Sequence, residues 1–254
     1  MNNSPIGVFD SGLGGLNIRS EIAKILPEES IIYYGDGKNC PYGEKSAEEI
    51  LRISDEIVKF LIGKGAKLVV IACNSATAGA IDYLREKYAI PFVGMEPAVK
   101  PAALNSKTGV VGILATEATL RGKLFKETYQ KYSDGIKIIS GVGKGFVEIV
   151  EGDREDTPEA LDTVHAAVEP MIAQGADHIV LGCTHYSFLG KLINEVIDGR
   201  DVSIVDPSPA VAKRVAELLA RFGLAAEPGH RAEYTFYSSN GSEYTQRLKY
   251  KSNL

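Results

Sequence analysis

Short apolar runs alternate along this chain with longer stretches whose apolar residues recur every three to four positions. The short runs read as buried strands: residues 6–9, 31–34, 68–72, 92–94, 109–114, 136–140, 178–182 and 203–205. The longer stretches read as amphipathic helices: 16–26, 47–63, 77–88, 119–132, 158–174 and 209–222. Strands alternating with helices of this length predict βαβ units and parallel sheets. Residues 234–237 read as one more strand, followed by a polar tail. No low-complexity segment or linker interrupts the pattern.

The pattern also repeats. Residues 65–75 (GAKLVVIACNS) align without a gap on residues 175–185 (GADHIVLGCTH), which places Cys73 opposite Cys183. A looser pair precedes them, 6–11 (IGVFDS) and 111–116 (VGILAT). In each case polar residues follow a buried strand. The repeat predicts an α/β fold of two similar Rossmann-like lobes, pseudo-symmetric and with mainly parallel sheets. Functional residues are then expected at the C-terminal ends of the strands, where parallel sheets bind ligands.

Composition narrows the field. The 254 residues have a net charge of −5 and a pI near 5.5, so no general attraction to nucleic acid or anionic lipid follows. No run approaches the ~20 apolar residues of a membrane span, and the N-terminus lacks the pattern of a secretory signal. Three cysteines in a chain this long need not be staples, which favours a reducing, cytoplasmic setting. Their spacing with the histidines contains no paired metal-ligand motif, so no metal is expected.

A cysteine just past a buried strand is expected at the exposed sheet edge, beside the N-terminus of the next helix, where thiolate is favoured. Cys73 and Cys183 share that position, whereas Cys40 reads as a buried apolar filler. Two thiols facing one another across a cleft would suit acid and base on opposite faces of one carbon. Asn74, Ser75 and Thr77 follow the first cysteine, and Thr184 and His185 the second. These groups suit a substrate carboxylate, although Ser75 or Thr184 could equally cap a helix. His185 is placed for proton relay. The loop from Asp10 to Gly15 lacks a dinucleotide fingerprint because Asn17 stands where its last glycine would be. Asp10 would repel phosphate but could pair with an ammonium. Pro41-Tyr42-Gly43 reads as a tight turn whose N–H groups could hold a second carboxylate.

Several of these segments together, GVFDSGLGG (7–15), YGD (34–36), PYG (41–43), ACNSA (72–76) and LGCTHY (181–186), resemble the cofactor-independent aspartate/glutamate racemase superfamily. The Asp-Ser-Gly and Pro-Tyr-Gly segments point to its glutamate branch. The resemblance implies Cys73 and Cys183 as the acid/base thiols, with Asp10 assisting the first and Glu151 and His185 the second. It implies substrate binding by Asp10, Ser11, Tyr42, Gly43, Asn74, Ser75, Thr77, Thr116, Thr119, Thr184 and His185. It further implies domains of residues 1–96 plus 207–254 and of 97–206, an active site at their interface, no cofactor, and a homodimer supplying D-glutamate for peptidoglycan. The sequence departs from the family at Ser75, usually threonine, and at Ser187, usually proline. It is also glycine-rich over 141–145, ahead of Glu151. Two other readings stand beside this one: an aspartate racemase or related isomerase, and a non-catalytic two-lobed amino-acid-binding protein.

Overall fold

The structure, a computed structural model, describes residues 2–132 and 135–252. The chain divides into two compact units, one of Met1–Met95 with Ser208–Leu254 and the other of Glu96–Pro207.

The first unit contains β1 (Ile6–Asp10), α1 (Leu16–Ile25), β2 (Ile31–Gly35), α2 (Ala47–Gly63), β3 (Leu68–Ile71), α3 (Asn74–Lys87) and β4 (Phe92–Val93). The second follows with α4 (Val99–Asn105), β5 (Val110–Ala115), α5 (Glu117–Arg121), α6 (Lys123–Tyr132), β6 (Lys137–Val142), α7 (Phe146–Glu151), α8 (Pro158–Ala173), β7 (His178–Gly182), α9 (Gly190–Ile197) and β8 (Ser203–Val205). The chain then returns to the first unit with α10 (Ser208–Phe222), β9 (Tyr234–Ser238) and α11 (Gly241–Lys251).

Both sheets are parallel throughout. The first has the order β4-β3-β1-β2-β9 and the second β6-β5-β7-β8. Aligning β1 with β5 makes β4-β3-β1-β2 and β8-β7-β5-β6 the same order, with β9 an addition to the first sheet. The internal sequence repeat is therefore a repeat of topology. In each unit the chain leaves its first strand to one side, then crosses to pair on the other. That reversal lies between β1 and β3, and again between β5 and β7. Strand ends at such a switch diverge and leave room for a ligand.

The central strands β1, β3 and β7 are buried on both faces, which is why they read as continuous apolar runs rather than alternating ones. In the first unit α1 packs with α10 and α2 with α3. Neighbouring residues of β2 point to the two faces. Tyr33 meets Phe236, whose other neighbour is Arg19 of α1, while Tyr34 meets Phe60 of α2. The second unit centres on Val111, Ile113, Ala115 and Val180, with Val99, Ala102 and Phe125 from its helices.

Several expectations are corrected. The predicted 77–88 helix begins at Asn74, because Cys73 is still extended and the chain turns helical immediately after it. The 119–132 helix is two, α5 and α6, since Gly122 leaves the helical region at ψ 146°. The polar tail is helical: α11 buries Tyr244 and Leu248, one turn apart, and too few apolar residues signal it. Helices α4, α7 and α9 are additions of six to eight residues that periodicity alone does not resolve. Pro41-Tyr42-Gly43 leads into a 3₁₀ turn, Tyr42–Glu44, rather than a simple reverse turn. Among the described residues no helix is long and apolar enough to cross a membrane.

Candidate active site

The first unit assembles one set of polar groups at the switch between β1 and β3. Asp10 closes β1, fully buried, and its carboxylate accepts the Gly12 N–H at 2.9 Å. The carboxylate thus shapes the glycine loop, an interaction the ammonium reading of Asp10 did not include. Tyr33 donates its hydroxyl to the Gly12 carbonyl at 2.8 Å and fixes the same loop from below. Gly15 must be glycine here: a Cβ would come within 2.7 Å of the Asp10 Cβ and 2.9 Å of the Tyr33 hydroxyl.

Cys73 occupies the N-cap position of α3, with its Sγ 3.9 Å from the Ser11 hydroxyl. The thiol is 5 % exposed, not open at the sheet edge as expected. It makes no side-chain capping bond, and Ser75 lies within the helix, past the cap position. The capping alternative for Ser75 therefore fails. The 14 residues of α3 direct their N-terminal dipole at the thiol, and first-turn N–H groups have no helical acceptor of their own. Beside it Asn74 is 3 % exposed, yet neither atom of its carboxamide has a hydrogen-bond partner among the described residues. A buried amide left unmatched costs about 1–3 kcal/mol. Thr77 differs: its hydroxyl donates to the Ile71 carbonyl and accepts the Met95 N–H, lacing β3 to the strand end beyond β4.

Tyr42 is buried and donates its hydroxyl to Asp36. Burial, then the Asp36 carboxylate, push the phenol far above its ordinary range, so it stays a neutral donor. Asp36 also accepts the Asn39 amide at 3.0 Å and the Ser239 hydroxyl, and its own N–H donates to the Asp10 carbonyl at 3.0 Å. It is the hub that places the Tyr42–Gly43 segment relative to Asp10. The sequence marked Asp36 only as part of a motif; its partners come from as far as Ser239, a separation no local pattern conveys. Cys40 is half-buried rather than a core filler.

The second unit carries the matching set between β5 and β7. Cys183 follows β7 in extended conformation and caps a 3₁₀ turn, Thr184–Leu189, that leads into α9. Its Sγ lies 3.9 Å from His185 Nδ1, and His185 Nε2 lies 2.7 Å from Glu151 Oε1 at the end of α7. Cys183 and His185 are buried, and Glu151 is partly exposed. With the Glu151 carboxylate at Nε2, the tautomer protonated there is the one that donates to Glu151 and presents the Nδ1 lone pair to sulfur. The three side chains thus form a thiol–imidazole–carboxylate chain. Thr184 is buried within the 3₁₀ turn and does not cap it. Thr116 caps α5 by accepting the Thr119 N–H, and the two hydroxyls lie 3.0 Å apart.

The two sets are equivalent in place but not in chemistry. A long helix addresses Cys73; a histidine–carboxylate pair addresses Cys183. Each supplies a buried thiol with polar support, which suits proton transfer to and from carbon.

Residues 16–215 match the Asp/Glu/Hydantoin racemase family. A protein named glutamate racemase from Herpetosiphon aurantiacus is 46% identical over 220 residues, covering 87% of this chain and 86% of the relative. The solved structure of a glutamate racemase isoform from Bacillus anthracis superposes with a TM-score of 0.88 at 32% identity, covering 98% of this chain and 93% of that one. A second, from Francisella tularensis in complex with D-glutamate, gives 0.86 at 30% identity, with 100% and 95% covered. With its two matched thiol sites, its parallel sheets and this similarity across nearly its whole length, the chain belongs to the Asp/Glu/Hydantoin racemase family.

Proposed function

We propose that this chain interconverts L- and D-glutamate by a two-base transfer of the α-proton. One cysteine, as thiolate, removes the proton from Cα, and the other thiol returns a proton to the opposite face. The observation that carries this reading is the recurrence of a buried cysteine after the strand beside the central one in two units of identical strand order. A binding protein would have no use for a thiol at both places. The curated relatives named glutamate racemase, and the neighbour holding D-glutamate, favour the five-carbon diacid as substrate.

The carbanion formed at Cα has no electron sink in the protein, so its charge must be met by hydrogen bonds to the α-carboxylate in a site closed to water. The unmatched Asn74 carboxamide and the N-terminal N–H groups of α3 are donors for that role. Ser11, Ser75 and Thr184 add hydroxyls, with Thr116, Thr119 and Thr77 nearby. Asp10 supports Cys73; Glu151 supports Cys183 through His185. Tyr42-Gly43, set by Asp36, receives the distal carboxylate. The same reading places the enzyme in the cytoplasm as a homodimer supplying D-glutamate for peptidoglycan, with no cofactor required.

Solvent labelling tests the mechanism. In D₂O, D-glutamate formed early from L-glutamate should carry deuterium at Cα while the remaining L-glutamate stays protiated. Label appearing equally in both enantiomers would point to a single base. Cys73→Ala and Cys183→Ala should each abolish racemisation, because neither face of Cα can be served by the other thiol. Near-normal turnover by either variant would remove that cysteine from the mechanism. Preference for aspartate would transfer the chain to a neighbouring branch of the family.

A further inference from the structure

The glycine-rich segment before α7 has a role that the proton-transfer scheme leaves unused. Tyr186, next to His185, is buried and donates its hydroxyl to the Gly143 carbonyl at 3.2 Å. The same carbonyl accepts the N–H of Phe146, the first residue of α7, at 3.2 Å. The Tyr186 ring meets Phe146 edge-on, with centroids 4.9 Å apart. At its other end, α7 finishes in Glu151, which holds His185. Tyr186 in turn donates its N–H to the Cys183 carbonyl at 3.1 Å. These contacts close a ring: Cys183, Tyr186, Gly143, Phe146, α7, Glu151, His185 and back to Cys183.

We propose that Tyr186 is a positioning residue, whose hydroxyl bond to the Gly143 carbonyl sets the tilt of α7 and so holds Glu151 against His185. A helix of six residues is only about 9 Å long and cannot fix its own orientation. It is tied to the 3₁₀ turn at each end, by Tyr186 at its start and by His185 at its finish. Burial of Phe146, Val147, Ile149 and Val150 seats the helix, so loss of the Tyr186 tie leaves it in place but free to tilt. Gly143 belongs to the same device. A Cβ there would sit 2.6 Å from both the Cζ and the hydroxyl of Tyr186, so any side chain drives the ring off its seat. Gly145, at φ +81°, provides the backward turn into α7 that brings the Gly143 carbonyl over the phenol. Burial, and after it the nearby Cys183, keep the phenol protonated and therefore a donor.

The proposal rests on the assigned role of the Cys183–His185–Glu151 set, and its test has a readout that needs no turnover. The chain has four histidines, so the ring N–H signals in proton–nitrogen NMR are few. The His185 Nε2–H, bonded to Glu151, is identified as the downfield signal that disappears in His185→Gln. That signal should move upfield or exchange with water in Tyr186→Phe, which keeps the ring and its packing, and also in Gly143→Ala, which displaces the ring. The kcat for glutamate should fall about 10- to 10²-fold in both, with KM within about threefold, since small misplacements of reacting groups carry such losses. An unchanged His185 signal in Tyr186→Phe would overturn the proposal, as would a lowered Tm with signal and kcat preserved. If the signal responds but the parent protein does not racemise glutamate, the positioning role stands and the substrate reading fails.

Discussion

Asp10 ends the central strand of the first unit with its carboxylate turned into its own loop. Asp10→Asn keeps an oxygen to accept the Gly12 N–H, so the loop and the melting temperature should change little. The charge proposed to assist Cys73 is lost, and kcat should fall by about 10²-fold or more, the usual scale for an acid–base group. Steady-state kinetics beside a thermal melt separate these effects; unchanged kcat with a lower Tm would make Asp10 a loop anchor only. Asp177 illustrates a purely structural carboxylate. Burial opposes its ionisation, but His178, the Thr108 N–H, the Ser106 hydroxyl and the Lys107 N–H overcome that and hold it below the usual carboxylate range. A lowered carboxyl stabilises the fold above its unfolded value, about 3.9, and that contribution fades as pH falls towards the folded value. Urea unfolding from pH 5 to pH 3 should therefore show an acid loss of stability that Asp177→Asn flattens.

Elements are joined at the sheet end opposite to Cys73 by an ion pair that the apolar pattern does not announce. Lys67, entering β3, lies 2.6 Å from Glu29, before β2, with both side chains almost wholly buried. Lys67 also donates to the Asn2 carbonyl, and Glu29 accepts the Ala226 N–H at 2.7 Å. The pair ties the N-terminal segment and the α10–β9 connection to two strands. Removing one partner strands a buried charge, which costs about 3–5 kcal/mol. Glu29→Gln and Lys67→Met should each lower the urea midpoint accordingly, whereas the double variant Glu29→Gln/Lys67→Met should lose less than the sum. The kcat of the folded protein should not change, because the thiol sits at the other end of the strand. A catalytic defect without a stability defect would contradict this assignment.

At the scale of the whole molecule, the second unit is one uninterrupted stretch, whereas the first is made of two. The returning segment supplies α10 against α1, and β9 as the parallel neighbour of β2. An isolated 96–207 fragment keeps every strand of its sheet and the Val111–Val180 core, so it should fold alone with a cooperative melt. A 1–95 fragment loses α10, β9 and α11, leaving α1 and the Tyr33 face of β2 uncovered, and should aggregate or remain unfolded. Circular dichroism and thermal melts of the two fragments decide the point; a cooperatively folded 1–95 would show that the returning segment is an accessory.

Local chemistry made much of this protein legible. Strands buried on both faces announce themselves as apolar runs, and the matched 65–75 and 175–185 segments disclose the repeated topology and both cysteines. Short helices were not legible: α7 follows Gly143, whose close neighbour is Tyr186, some 40 residues on, and α11 buries only two apolar side chains. Nor could the sequence distinguish capping from binding at Ser75, because that depends on which residue is the last to be extended. Asp36 as a hub, the unmatched Asn74 amide and the His185–Glu151 bond arise only when distant segments are packed together. The sequence by itself determined the strands, the longer helices and the residues bearing the chemistry, since these follow from side-chain polarity and local backbone preference. Tertiary structure alone decided which of those residues are buried, bonded or left unmatched, because hydrogen-bond partners and exclusion from water belong to the packed chain and not to any stretch of it.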